Sequence, residues 1–469
     1  MTAVAAPAQA ALTRRTGRWI DDWEPEDPTF WAASGRRVAR RNLVFSIFSE
    51  HLGFSVWLLW SVVVVSLPAA GFAFSINQLF WLVALPSLVG SVLRLPYTFA
   101  VPKFGGRNWT VISSLLLLIP TGLLVMAVSN PATPYWVFLL VAASAGLGGG
   151  NFASSMANIS FFYPERRKGL ALGLNAAGGN IGVSVVQFLV PILIGVVLIG
   201  GAQAPGVHLQ NAGLFWIPLA VLAAVAAYFF MDNLSTARSS LADQAVVLKR
   251  PHMWVMAVLY IGTFGSFIGY SAALPLLIKT QFPGVVVAHY AFLGPLVGSL
   301  SRPVGGWLSD RFGGARVTLV NFGVMGLAVV VVWQALNAGS FTLCLSAFLV
   351  LFITAGIGNG STFRMVPAIF RSQAMAGVDA TDRPAWKTAQ ARGLRESAAV
   401  LGITSAIGAL GGFFIPRGIG SSLAQTGGVG TAFGAFLAFY VVCAALTWWC
   451  YLRRRVLTSS RPSLAAAGV

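Results

Sequence analysis

The chain has 469 residues, 57% of them hydrophobic and only 9% charged, with 33 Phe and 15 Trp. That is more apolar surface than a soluble core can hide, so the class is an all-α polytopic membrane protein. The formal charge of +18 is spread through short loops instead of forming a patch interleaved with aromatics, which marks it as topological information and argues against nucleic acid as a partner.

Residues 1–42 read as a polar tail, in which "IDDWEPEDPTFW" (20–31) concentrates acids. No apolar stretch follows Arg14 and Arg15, so a cleaved signal is not expected. Apolar runs of about 20 residues then begin near positions 43, 76, 109, 135, 169, 213, 252, 287, 316, 341, 394 and 430, which predicts twelve transmembrane helices. They divide into a half at 43–231, a polar linker at 232–251 carrying Asp232, Asp243, Lys249 and Arg250, a second half at 252–452, and a tail at 453–469.

Basic residues cluster in alternate connections. Arg36, Arg37, Arg40 and Arg41 precede the first run, Lys103 and Arg107 follow the second, and Arg166, Arg167 and Lys168 follow the fourth. Arg238 and Arg250 follow the sixth, Arg311 and Arg316 the eighth, Arg371 to Arg395 the tenth, and Arg453, Arg454 and Arg455 the twelfth. The positive-inside bias therefore places both termini in the cytoplasm, in the cytoplasmic (inner) membrane. Cys344, Cys443 and Cys450 lie inside apolar runs without metal-ligand spacing, so no disulfide framework, metal or cofactor is expected.

Two motifs repeat between the halves. "LVGSVLR" (88–94) matches "LVGSLSR" (296–302), each followed by Phe-Gly-Gly, and "GLGGGNF" (146–152) matches "GIGNGSTF" (356–363). Each copy of the first motif puts an arginine, Arg94 or Arg302, at membrane depth, where a charge costs about 2.5–3.5 kcal/mol. Of the 13 acids only Glu50 falls inside a predicted span. At most one arginine can be neutralised by the protein, so the missing counter-charge points to an anionic substrate. Forked guanidinium donors from two related halves would clamp a small, flat oxyanion.

The loop segment "GWLSDRFGGAR" (306–316) resembles the loop motif of the major facilitator superfamily, which implies that Asp310 and Arg311 latch helix ends as a gate. The stretch "GGGNFASSMANISFFYPERRKGLALGLNAAGGNIGVSVVQ" (148–187) resembles the signature of that superfamily's nitrate/nitrite porter family. "EPEDPTFW", "FGSFIGYSA", "GIGNGSTFRM" and "SAIGALGGFFIP" extend the likeness almost end to end. The resemblance implies a nitrate- and nitrite-binding site between the halves in which Arg94 and Arg302 hold the anion, Asn180 hydrogen-bonds it, and Phe152, Tyr260 and Phe264 line the walls. It implies a carrier and not an enzyme, working in the bilayer as a monomer by alternating access.

Unpaired arginines in an empty carrier resist burial between closed gates, which favours nitrate/nitrite exchange. Glu50 stands where the family's exchangers are apolar, and that departure resembles the proton-coupled branch, with Glu50 as the proton carrier. Its alternative roles are a local pair with His51 or with a nearby arginine. Arg364 is expected either to snorkel or to be Glu50's partner, and the glycines of "GLNAAGGNIG" and "GALGG" mark the fifth and eleventh helices as the expected moving contact. A carrier of an organic solute would place more acids or amides in the bundle, and four scattered histidines, His51, His208, His252 and His289, offer no catalytic cluster.

Overall fold

The computed structural model describes residues 13–237, 246–379 and 381–453, with Leu464 and Val469. Arg238, Asp243, Arg454 and Arg455 fall outside these residues. Among the described residues, eleven helices are long and apolar enough to cross a membrane: α1 (Pro28–Ser66), α2 (Ile76–Phe104), α3 (Gly106–Ser129), α4 (Tyr135–Phe162), α5 (Glu165–Ile194), α6 (Asn211–Phe230), α7 (Pro251–Gln281), α9 (Gly314–Asn337), α10 (Phe341–Met375), α11 (Arg383–Thr426) and α12 (Gly430–Leu452). Between α7 and α9 lies α8 (Leu293–Phe312), whose polar content comes from Arg302, Asp310 and Arg311. These are the twelve expected helices. The eighth is less apolar than the rest because it carries Arg302 facing inward and Asp310 and Arg311 at its end.

The first helix starts earlier than the apolar run at position 43. Asp27 accepts from the Thr29 amide at 2.7 Å, and Pro28 occupies the first helical position. Asp-Pro is a helix-start signal independent of hydropathy, so the helix begins in polar sequence and enters the membrane later. The segment before it is also structured: β1 (Trp19–Ile20) pairs in parallel with β2 (Asn233–Leu234), just beyond α6. A small core of Ile20, Trp23, Trp31, Val38, Phe162 and Leu234 fastens this segment beneath the first half.

The internal repeat is visible in the backbone. Gly105 (φ 85°) ends α2 and Gly313 (φ 89°) ends α8, each opening directly into the next helix. Both sit in the Phe-Gly-Gly triplets, and positive φ is what the glycine supplies there. Within the first half α1 packs on α4 and α5, and α2 on α4; within the second α7 packs on α10 and α11, and α8 on α10. The halves meet along α2–α11 and α5–α8, with α1 touching α7, a pairing that respects a pseudo-two-fold axis.

Polar contacts between the halves are uneven along that axis. On the face opposite the termini, Arg417 donates to Asn77 (2.8 Å), Gln187 to the Ser271 carbonyl (2.7 Å) and Ser184 to the Phe292 carbonyl (2.9 Å). On the termini side of Arg94, no hydrogen bond or ion pair joins the halves among the described residues.

The glycine-rich stretches serve mainly packing within each half. A Cβ at Gly182 would lie 2.3 Å from the His51 carbonyl of α1, and one at Gly411 would lie 2.4 Å from Gly265 of α7. Gly412 and Gly420 are the ones turned across the interface, toward Ser87 and Phe80 of α2.

Candidate functional site

The site lies where α2, α4, α7, α8 and α11 converge. Arg94 of α2 is fully buried. Its Nε donates to the Gly149 carbonyl of α4 (3.1 Å) and its Nη1 to the Ser405 carbonyl of α11 (2.8 Å). Gly149 has no room for a side chain, because a Cβ there would come within 2.6 Å of the Trp57 ring. Trp57 is itself held by its indole N–H to the Pro86 carbonyl at 2.8 Å. Two backbone carbonyls thus aim the guanidinium without neutralising it, and Nη2 has no partner among the described residues.

Arg302 of α8 is 5% exposed, and its Nη1 is likewise without a partner among the described residues. One ring joins the two arginines: the Phe152 centroid lies 4.6 Å from the Arg94 guanidinium carbon and 5.9 Å from that of Arg302. Phe264 stacks on Phe152 at 5.9 Å, with Arg94 5.0 Å from its own centroid, and Tyr260 stacks on Phe264 at 5.4 Å. Cation–π contact offsets part of the cost of burying the two cations while leaving their in-plane N–H donors available.

Tyr260 immediately precedes, and Phe264 lies within, a π-helical segment, Ile261–Gly265, inside α7. Such a local widening of a helix recurs at functional sites. The Tyr260 hydroxyl lies beside Arg302, and its oxygen makes no hydrogen bond among the described residues. Arg94, Arg302, Phe152, Phe264 and Tyr260 therefore form one cluster. Asn180 of α5 is 1% exposed with its carboxamide oxygen unpartnered among the described residues, but it makes no hydrogen bond to either arginine.

Glu50 sits on the wall of this cluster. It is fully buried on α1, and its Oε2 accepts from Asn175 Nδ2 (2.6 Å) and from the Ser155 hydroxyl. Its Oε1 has no partner and the residue makes no ion pair among the described residues, yet both arginines lie within electrostatic reach of it. Gly179 makes space for it, since a Cβ there would come 2.5 Å from Oε1. His51 turns away and bonds the Gly178 carbonyl through Nδ1 at 3.1 Å, so it is not Glu50's partner. Neither is Arg364, whose Nε donates to Asp310 at 2.6 Å on the termini face, with both side chains 58% exposed. Asp310 thus ties α8 to α10 within one half, while Arg311 lies over the Trp307 and Phe312 rings.

Trp57, Ser405, Ser155, Asn175 and Phe363 were missed from sequence. Phe363 carried a usable signal: it closes the second copy of the glycine repeat as Phe152 closes the first, and its ring lies 5.5 Å from Arg302. Ser405 contributes only a carbonyl, to which residue type is blind.

Comparison with known proteins identifies the family and the fold. Residues 51–380 match the family described as the Major Facilitator Superfamily. The chain is similar to the "Nitrate/nitrite transporter NarU" of Salmonella typhimurium, 48% identical over 93% of this chain and 96% of that one. It is also similar to the "Probable nitrate/nitrite antiporter NarK2" of Thermus thermophilus, 40% identical over 94% and 98%. Among solved structures, a D-xylose-proton symporter superposes with a TM-score of 0.62 at 16% identity, covering 88% of this chain and 97% of that one. That last likeness concerns the fold alone.

Proposed function

Because this chain belongs to the nitrate/nitrite porter family of the Major Facilitator Superfamily, we propose that it carries nitrate and nitrite across the cytoplasmic membrane by alternating access, as an exchanger. The observation that carries this reading is the pair of buried arginines, one from each half, meeting at Phe152 with open N–H donors and no ion-pair partner among the described residues. A flat monoanion supplies the missing charge and accepts in-plane hydrogen bonds from both guanidinium groups and from Tyr260. Asn180 is its further amide contact.

Exchange follows from the electrostatics. With the anion bound, the two halves share one neutralised site and can close around it. With the site empty, the rocking step has to carry two buried like charges through the closed state with no counter-charge between them, and it stalls. The polar contacts that join the halves lie opposite the termini, which is the outer face of a carrier whose termini are cytoplasmic. A single chain supplies both arginines, so the working unit is a monomer. Asp310 acts as a gating residue by holding α8 to α10 through Arg364, with Arg311 beside it.

A second reading, nitrate/proton symport, is favoured by one observation: Glu50 is a buried carboxyl without an ion pair among the described residues, within electrostatic reach of both arginines. A protonated Glu50 leaves the arginines free for the anion, and an ionised one competes with it. The test is nitrate uptake by purified protein in liposomes loaded with or without nitrite, at several imposed pH gradients. Uptake that requires internal nitrite and ignores the gradient is the expected result. Uptake into empty vesicles that rises with external acidity overturns exchange in favour of symport.

A further inference from the structure

Away from the proposed transport site, a cluster of like charges lies where α6 ends. Asp232 is fully buried and is shared by three arginines: Arg14 (2.9 Å) and Arg18 (2.8 Å) at Oδ1, and Arg41 at Oδ2. Three guanidinium groups on one carboxylate leave an excess of positive charge. Each arginine side chain remains about a third exposed, at 34%, 29% and 31%. The buried Nε of Arg41 has no partner among the described residues.

The surroundings identify what this charge faces. Arg41 is on α1, and one turn further into the membrane Phe45 stacks on Phe230 of α6 at 5.0 Å. Phe230 is 49% exposed, and its neighbour Phe229 is 59% exposed. A cluster of arginines therefore caps an exposed aromatic patch where α1 meets α6, at the end of both membrane-spanning helices. We propose that this patch binds an anionic phospholipid, its phosphate held by Arg14, Arg18 and Arg41 and its acyl chain lying over Phe45 and Phe230. Charge complementarity selects the headgroup, and the aromatic pair continues into the hydrocarbon region as a chain does. A soluble anion would satisfy the arginines but leave the ring pair unused.

The site also explains a structural choice. The docked segment, β1 and its arginines, is held to the α6 end through Asp232, Asn233, the Met231 carbonyl, Ser235 and the short strand pair, beside the small core around Ile20 and Leu234. A phosphate completing the arginine cluster would fasten that segment at the membrane surface and damp repulsion among three like charges.

The test uses full-length protein in a mild uncharged detergent. Thermal unfolding and native mass spectrometry would be followed while adding dioleoyl phosphatidylglycerol, dioleoyl phosphatidylcholine or inorganic phosphate, for wild type, Arg41→Gln and Arg14→Gln. Phosphatidylglycerol is expected to bind and stabilise wild type selectively, and each substitution to weaken it about fivefold, the factor that ~1 kcal/mol per basic residue gives. Phosphatidylcholine binding should not change. Equal phosphatidylglycerol affinity in all three proteins would overturn the proposal. So would stabilisation by inorganic phosphate equal to that by the lipid, which would mean a free-anion site. Should Arg41→Gln fail to fold, Arg14→Gln decides the matter, because it precedes the first helix and leaves two arginines on Asp232.

Discussion

Arg94 donates through Nη1 to the Ser405 carbonyl at 2.8 Å, so the buried arginine of one half, the proposed anion ligand, is already hydrogen-bonded to a helix of the other. The bond positions the guanidinium but adds no counter-charge, which leaves one edge for an anion and makes the bound anion a bridge between halves. Lysine cannot reproduce this, because an ammonium has no planar fork with which to hold two carbonyls and an oxyanion together. Arg94→Lys and Arg302→Lys are each expected to lower nitrate kcat/KM by about 10- to 100-fold, the range for losing a charge-assisted hydrogen bond. Initial rates of counterflow in liposomes measure it; near-normal rates in either variant would remove the two-arginine clamp.

Glu50 is surrounded by donors, Asn175 at 2.6 Å and the Ser155 hydroxyl, and by two distant arginines. Gln is nearly isosteric and holds no exchangeable charge. Glu50→Gln is therefore expected to keep nitrate/nitrite counterflow within about threefold, a change of less than ~1 kcal/mol. It should also abolish any component of uptake that grows with external acidity. A pH-gradient series on both proteins decides it. Loss of counterflow would make Glu50 part of the exchange cycle itself.

Much of this site was legible in the sequence because burying charge in a membrane is costly. Arg94 and Arg302 stood out by depth, by repetition and by the scarcity of acids. Runs of about 20 apolar residues located the helices, although α1 begins at Pro28, where a cap and not an apolar run sets its start. What remained hidden depends on rotation about helix axes. The Ser405 carbonyl, the Trp57 ring filling the space left by Gly149, and the Ser155–Asn175 cradle of Glu50 are contacts between helices whose facing is set only by packing. The pairing of Asp310 with Arg364, and not with its neighbour Arg311, is of the same kind.

Opposite the termini, Arg417 reaches across the interface to Asn77 at 2.8 Å, and its guanidinium lies 4.0 Å from the Trp81 ring centroid. These contacts must part when that face opens. Arg417→Ala removes both and should shift the population toward the outward-open state by about 3- to 10-fold, for a loss of ~0.5–1.5 kcal/mol. A Ser184→Cys reporter, placed where Ser184 bonds the Phe292 carbonyl, measures this by its rate of maleimide labelling from outside. Cys344 and Cys443 are buried, so background labelling from them is small. An unchanged labelling rate would mean that Arg417 does not latch the gate.

Two glycines that look alike in sequence should behave oppositely. A Cβ at Gly148 of α4 would lie 2.3 Å from the Gly53 carbonyl of α1, a backbone atom that cannot move without shifting the helix. Gly173 of α5 has open space within 4 Å of where its Cβ would stand. Gly148→Ala is expected to destabilise the fold by ~1–3 kcal/mol, the usual cost of overpacking. Gly173→Ala should be neutral or stabilise by up to ~1 kcal/mol, because alanine holds a helix better than glycine. Thermal unfolding of both variants in detergent is the check. A Gly173→Ala protein that unfolds as early as Gly148→Ala would show that close approach to α1 is not what requires the glycines in this half.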